Sequence, residues 1–194
     1  MALSDLLSLF LPLFVAMDPL GVLPAFIQMT AGLPGPRRRK LVDGSVLTAG
    51  AVGLLFIPLG PLVLVALGLK SGDFQIAGGL LVLVIALRDV VGDHKMLTGK
   101  SSNEIGVVPI GIPLLVGPAV FATLILLQTK FSGIEIGLSL IVNLFLAWVV
   151  FRQSSRLIGW MGFTGTKIVS KLAALLLSAY AVMMIRVGFS SFIK

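Results

Sequence analysis

The sequence predicts an all-α polytopic membrane protein with six transmembrane helices, arranged as two inverted three-helix repeats whose first and fourth helices are broken. Three observations favour this fold. The chain of 194 residues is 57% hydrophobic and 12% charged, with a mean hydropathy of +1.10, whereas roughly a quarter of the residues of a soluble domain are charged. Its apolar stretches reach the roughly 20 residues that cross a bilayer as a helix. The first and fourth stretches each carry a proline at matching positions.

Apolar runs between polar breaks define the predicted spans. No Lys or Arg precedes the first run, so we expect a retained span rather than a removable signal peptide. Pro58 and Pro61 lie late in the second run, and we predict one bent helix there. The alternating pattern of a β-barrel is absent. The six predicted spans cover about residues 6–29, 41–69, 74–91, 107–127, 134–151 and 168–193.

Positive charges indicate the topology of these spans. Of the 15 Lys and Arg residues, 11 fall on one side of the predicted membrane, and the positive-inside rule makes that side cytoplasmic. Both termini are then outside the cytoplasm, in a cell membrane (inner or plasma). An alternative interpretation of "PRRRK" is a patch for lipid headgroups or nucleic acid, but we expect no nucleic-acid partner. The 11 residues are Arg37, Arg38, Arg39, Lys40, Arg88, Lys95, Lys100, Arg152, Arg156, Lys167 and Lys171.

An internal repeat relates the two halves of the chain. With an offset of 99 residues, "DPLGVLPAFIQMT" lies over "GPAVFATLILLQT", which places Pro19 on Pro118 and Thr30 on Thr129. We therefore predict a first repeat over residues 1–92, a cytoplasmic connecting loop over 93–104 and a second repeat over 105–194. Because each unit has an odd number of spans, the second is inserted upside down relative to the first, as in many secondary transporters.

Both matched prolines predict a break in the middle of a span. Proline lacks an amide hydrogen and disfavours helical geometry at the preceding residue, which makes Asp18 and Gly117 the points of departure. Freed backbone groups cost several kcal/mol each in hydrocarbon unless they face protein or water, so the breaks indicate a shared polar centre. The first amides of a new half-helix can hold an anion. The alternative is that the prolines kink helices for packing. The predicted substrate-binding residues are Asp18, Pro19, Leu20, Gly21, Val22, Gly117, Pro118, Ala119, Val120 and Phe121.

Asp18 has three possible functional roles: a ligand for a substrate ammonium, a sodium site or a proton carrier. A carboxylate in the middle of a membrane costs roughly 2.5 to 3.5 kcal/mol on insertion scales and marks a functional pathway by default. The alternative is a helix N-cap, because Asp before a proline is a helix-start signal; capping and binding are compatible. Arg88 and Asp89 are predicted to form the interfacial end of the third span. With no cysteine and one histidine, we expect neither a metal site nor a bound cofactor.

Four segments resemble the MarC family, which includes the SnatA small neutral amino acid transporters and is related to the LysE exporter superfamily. They are "MDPLGVLPAFI", "FQIAGGLLVLVIAL", "VVPIGIPLLVGPAVFATLILL" and "LIGWMGFTGTKIVSKLAALLLSAYAVMMI", in the same order and spacing. The resemblance implies six helices in two inverted repeats, a substrate site at the two breaks, and transport of glycine, alanine and similar amino acids coupled to a proton or sodium gradient. The family often has asparagine where this chain has Val22, and glycine where it has Ala119.

The leading functional hypothesis is a secondary transporter of small neutral amino acids that works by alternating access. An exporter of other small metabolites or toxic compounds is the alternative within the same class, since the sequence does not fix direction. A noncatalytic accessory protein is a second alternative. An intramembrane enzyme would need a nucleophile with a base, paired carboxylates or a metal cluster, and we predict no catalytic residue. The sequence has no phosphate-binding P-loop.

Overall fold

The computed structural model describes residues 3–30, 32–91 and 115–193, and this part of the chain is helical apart from short connections. The predicted loop 93–104 and the first residues of the predicted fourth span lie outside the described residues. The helices are α1 (Leu3–Met17), α2 (Leu23–Thr30), α3 (Gly35–Ala66), α4 (Ser71–Val91), α5 (Pro118–Leu127), α6 (Gly133–Arg152) and α7 (Ser154–Ile193).

Four helical segments in the described residues are long and apolar enough to cross a membrane. They are Gly35–Ala66, Ser71–Val91, Gly133–Arg152 and Thr164–Phe192. The prediction of an all-helical membrane protein is confirmed at this level. The complete set of six spans and their inverted arrangement stay predictions, because part of the predicted fourth span is not described.

The first predicted span is interrupted, as its proline indicated. Its two parts are α1, of 15 residues, and α2, of 8 residues, and residues 18–22 between them are not helical. In the second half of the chain, α5 begins at Pro118 directly after the extended residue Gly117. The two helix starts therefore fall near the two matched prolines.

One predicted boundary needs correction. The second span was predicted to begin near residue 41, but α3 begins at Gly35 with Pro36 in its first turn, where a proline needs no amide partner; the basic run therefore lies in the helix. This helix continues through Pro58 and Pro61 to Ala66, as one span. The sixth predicted span, from about residue 168, corresponds to Thr164–Phe192, which follows an interruption of α7 at Gly162, whose φ of 68° suits glycine.

Long helices of the two halves pack against each other in pairs. The pairs are α3 with α6 and α4 with α7. In the first pair, Gly50 lies beside Leu144 and Gly53 beside Leu140, so residue numbers fall along one helix as they rise along the other. The helices are therefore antiparallel.

The α4–α7 pair is held close by small residues. A Cβ added at Gly79 would lie 2.9 Å from the Ala181 carbonyl oxygen. A Cβ added at Gly188 would lie 2.8 Å from the Gly72 carbonyl oxygen. Gly72 near the start of α4 contacts Gly188 near the end of α7, whereas Gly79 contacts Ala181 earlier in α7. This pair is therefore antiparallel as well. Its backbones approach closely enough that a larger side chain at either glycine would push them apart.

The outer surface of the helices is apolar. Large side chains such as Leu47, Val65 and Ile134 are more than three-quarters exposed (76%, 79% and 78%). A surface of this kind is stable in contact with lipid tails, in agreement with the four membrane-length segments. Beneath it, five helices (α1, α2, α3, α5 and α6) share a core that includes Leu13, Phe26, Val42, Leu124 and Leu140.

Candidate functional site

Asp18 organises the first break through three hydrogen bonds. Its amide donates to the Phe14 carbonyl at 2.9 Å, and its own carbonyl accepts from the Val22 amide at 3.1 Å. Its carboxylate oxygen Oδ1 accepts from the Gly21 amide at 3.0 Å. Asp18 has a φ of 42°, a left-handed conformation that Asp and Asn tolerate better than most residues. This residue therefore ends α1 and closes the turn that leads to α2.

The same bonds take up amides that we had assigned to a ligand. The sequence predicted that Leu20, Gly21 and Val22 would be the first residues of the half-helix and that their amides would be available to an anion. Instead α2 begins at Leu23, and the carboxylate and the carbonyl of Asp18 accept from the amides of Gly21 and Val22, as an N-cap residue does. The acidic side chain of the protein itself thus occupies the position that we had predicted for a bound anion.

Gly21 leaves no room for a side chain beside this carboxylate. A Cβ at this position would lie 2.6 Å from Cγ and 2.7 Å from Oδ1 of Asp18. On its other side, the Gly21 carbonyl accepts a buried hydrogen bond of 3.0 Å from the hydroxyl of Ser170 in α7. The break is therefore fixed from within by Asp18 and from outside by α7.

The second break has a different end group. Gly117 caps α5 with an extended backbone and no side-chain hydrogen bond, and its carbonyl accepts from the Phe121 amide at 3.1 Å. The amides of Ala119 and Val120 belong to the first turn of a helix, where the backbone offers no intrahelical acceptor. In the described part of the chain, α5 therefore presents the N-terminal amides that α2 does not.

Two hydroxyl groups connect this second break to α7. Thr123 donates to the Ala119 carbonyl at 2.8 Å. Since this uses its one hydroxyl hydrogen, its Oγ1 accepts from the Tyr180 hydroxyl at 3.0 Å. Thr123 is completely buried. Through this bond and the one from Ser170, α7 contacts both breaks.

A cavity of about 200 Å³ lies between the two breaks. It brings together six of the ten predicted site residues: Asp18, Gly21, Val22, Gly117, Pro118 and Ala119. The other four do not line it. Val120 is buried in the core, and the ring of Phe121 packs on that of Phe56 with centroids 4.4 Å apart. The remaining lining residues are Ala16, Met17, Ala25, Val82, Ile85, Asp89 and Leu177.

Asp89 is a cavity residue that the sequence interpretation missed. We predicted that it would lie at the membrane interface, because it falls two residues before the end of α4. It lines the same cavity as Asp18, and the two carboxylates interact electrostatically. The helical spacing could have indicated this position, since Val82, Ala86 and Asp89 follow an i, i+4, i+7 pattern and the first two are buried.

The cavity has two polar sides and an apolar remainder. Carboxylates of Asp18 and Asp89 can attract a cation or an ammonium group. The N-terminus of α5 at Gly117 and Ala119 can attract an anion. No cluster of three or more metal-ligating side chains occurs among the described residues. A second, larger groove of about 310 Å³ between α1 and α6 is lined mainly by leucines and contains none of the predicted site residues.

Comparisons with known proteins agree over the whole chain. A family model described as "MarC family integral membrane protein" matches residues 3–193. The UPF0056 inner membrane protein YhgN of Escherichia coli (strain K12) is 31% identical over 201 residues, with 99% of this chain and 100% of that protein covered. The UPF0056 membrane protein BU449 of Buchnera aphidicola subsp. Acyrthosiphon pisum is 30% identical over 195 residues, with 99% and 100% covered. No solved structure matches this chain.

Proposed function

The chain belongs to the MarC family of integral membrane proteins, and from this premise we propose that it is a secondary transporter of small neutral amino acids such as glycine and alanine. The observation that carries the proposal is the cavity between the two breaks, whose lining includes two carboxylates and a helix N-terminus without a side-chain cap. A zwitterionic amino acid has the complementary pair of charges. The protein would move the solute without covalent chemistry and is not proposed to be an enzyme.

The two charged groups of the substrate would bind at opposite walls. Its ammonium group would bind at Asp18 and Asp89. Its carboxylate would bind the α5 N-terminus, where Ala119 lines the cavity and has a first-turn amide. This assignment places an anion-binding site at the second break only. The Gly21 amide at the first break already donates to Asp18.

The size of the cavity favours a small substrate. Its volume of about 200 Å³ is below the roughly 300 Å³ at which pockets for drug-sized ligands begin. The apolar lining includes Val82, Ile85 and Leu177, which suit a short aliphatic side chain. Larger toxic compounds fit this volume less well.

Helix pairing supports an inverted repeat as the framework for transport. Both the α3–α6 and the α4–α7 pairs are antiparallel, as expected when a two-fold axis in the membrane plane relates the halves. Contacts are also reciprocal, since α1 packs on α6 and α5 packs on α3. We propose six spans, both termini outside the cytoplasm of a cell membrane, and alternating access by movement of one group of helices against the other. A proton or sodium gradient would supply the energy, with Asp18 as the candidate carrier.

The direct test is flux of labelled glycine and alanine into liposomes that contain the purified protein. Proton and sodium gradients are imposed separately, in both directions, and liposomes without protein are the control. We expect saturable flux of both amino acids that one of the two gradients accelerates. Folded protein that moves no small neutral amino acid under either gradient would contradict the proposal.

A further inference from the structure

The apolar wall of the cavity has a buried part and a membrane-facing part. Val82 and Ile85 of α4 and Leu177 of α7 all line it. Val82 and Leu177 are only 1% and 5% exposed, whereas Ile85 is 43% exposed. A substrate side chain that reached Ile85 would therefore be next to the outer surface, while one that reached Val82 would meet a closed wall.

The buried wall formed by Val82 and Leu177 cannot easily move away from the cavity. Val82 and Leu177 form one buried cluster with Ala86 and Ala181. Behind them the backbones of α4 and α7 already approach closely, since a Cβ at Gly79 would lie 2.9 Å from the Ala181 carbonyl oxygen and 2.7 Å from Cγ1 of Ile185. The space in the cavity at this point depends on the side chains themselves, because the helix spacing is fixed by small residues.

We propose that Val82, supported by Leu177, sets the upper size limit of the side chain that the protein transports. The inference rests on the proposed function. With the ammonium and carboxylate groups of a substrate held at Asp18 and at the α5 N-terminus, its α-substituent would face the apolar lining, which includes the wall formed by Val82 and Leu177. Val82 is the buried residue of α4 at that wall, so its two methyl groups occupy the space that a longer substrate would need.

The test compares two substitutions at this position with a matched control on the same helix. Val82→Ala shortens the wall, Val82→Leu extends it, and Val84→Ala makes the first change at a side chain that is 56% exposed and does not line the cavity. The full-length variants are reconstituted into liposomes, and the ratio of valine to alanine flux is measured for each.

One methylene in an apolar pocket changes selectivity by about 10-fold or more. We therefore expect Val82→Ala to raise the valine-to-alanine flux ratio at least about tenfold, and Val84→Ala to leave it unchanged. Val82→Leu should lower alanine flux relative to glycine flux. These two substitutions change size in opposite directions, so either one that yields folded protein decides the question.

The possible failures are distinguishable. Wild-type protein without glycine or alanine flux would overturn the proposed function and this inference with it. Wild-type flux, combined with unchanged ratios in the folded Val82 variants, would overturn the inference alone. Equal shifts in Val82→Ala and Val84→Ala would also overturn it, because a lipid-facing position would then have the same effect.

Discussion

Substituting Gly21 with alanine should displace the Asp18 carboxylate without removing its charge. The added Cβ would lie 2.6 Å from Cγ and 2.7 Å from Oδ1 of Asp18, distances that nonbonded atoms do not tolerate. The Asp18 side chain is short and can rotate about its χ1 bond, so we expect the carboxylate to turn away and the backbone to stay. The hydrogen bond of 3.0 Å from the Gly21 amide is then lost.

The expected change in the free energy of unfolding follows from two opposing effects. A hydrogen bond to a charged group contributes about 1.5 to 3 kcal/mol. Replacing glycine by alanine restricts the unfolded chain and returns about 0.4 to 1 kcal/mol. We therefore expect Gly21→Ala to be destabilised by about 0.5 to 2.6 kcal/mol, the difference between these two effects. Alanine flux should also fall, because the displaced carboxylate no longer faces the cavity in the same way.

The assay is unfolding in mixed micelles of detergent and dodecyl sulfate, followed by circular dichroism. Gly159→Ala is the matched control, since a Cβ at Gly159 meets nothing within 4 Å. A double-mutant cycle with Asp18→Ala then tests the mechanism, because neighbouring residues that act on each other give non-additive effects. If Gly21→Ala is as stable as the wild type, or costs the same in the Asp18→Ala background, the proposed clash with the carboxylate is refuted.

Three further predictions address the charge, the helix contact and the topology. Asp18→Asn should fold, because an amide oxygen can still accept from the Gly21 amide and Asn tolerates the left-handed conformation, but its glycine flux should lose dependence on the imposed gradient; unchanged coupling would exclude Asp18 as the ion carrier. Gly79→Val should lower the free energy of unfolding by about 1 to 3 kcal/mol, measured in the same micelles, because its side chain would meet the Ala181 carbonyl 2.9 Å from Cβ; no change would show that α4 and α7 separate freely. An alkaline phosphatase fused after Lys194 should be active, since that enzyme works only outside the cytoplasm, and an inactive but intact fusion would contradict the proposed topology.

Local sequence patterns predicted the elements that local chemistry controls. The break near Pro19 and the start of α5 at Pro118 fall where proline lacks its amide hydrogen, although the same lack at Pro58 and Pro61 does not end α3. The ends of α4 and α6 fell within three residues of the predicted bounds. A spanning helix needs about 20 apolar residues, so the ends of the apolar run indicate the ends of the helix. These features need no knowledge of the rest of the fold.

Features that depend on competition or on tertiary contacts could not be predicted in this way. The amides of Gly21 and Val22, which we had assigned to a ligand, donate to the carboxylate and the carbonyl of Asp18. The position of Asp89 depends on how α4 packs across the breaks, and its place near the end of a span concealed this. Nothing in the local sequence of Ser170 indicates its role, although its hydroxyl donates to the Gly21 carbonyl from 149 positions away.

One long helix bonds to both interrupted segments. Ser170 and Tyr180 of α7 are ten residues apart, about 15 Å along a helix; one reaches the Gly21 carbonyl and the other reaches Thr123. Breaking a buried hydrogen bond costs about 1 to 3 kcal/mol, so neither segment can swing away from α7 without that penalty. The helix thus links the two interrupted segments. A movement that keeps both hydrogen bonds, and so avoids this penalty, carries α7 and the two breaks together rather than moving each break by itself.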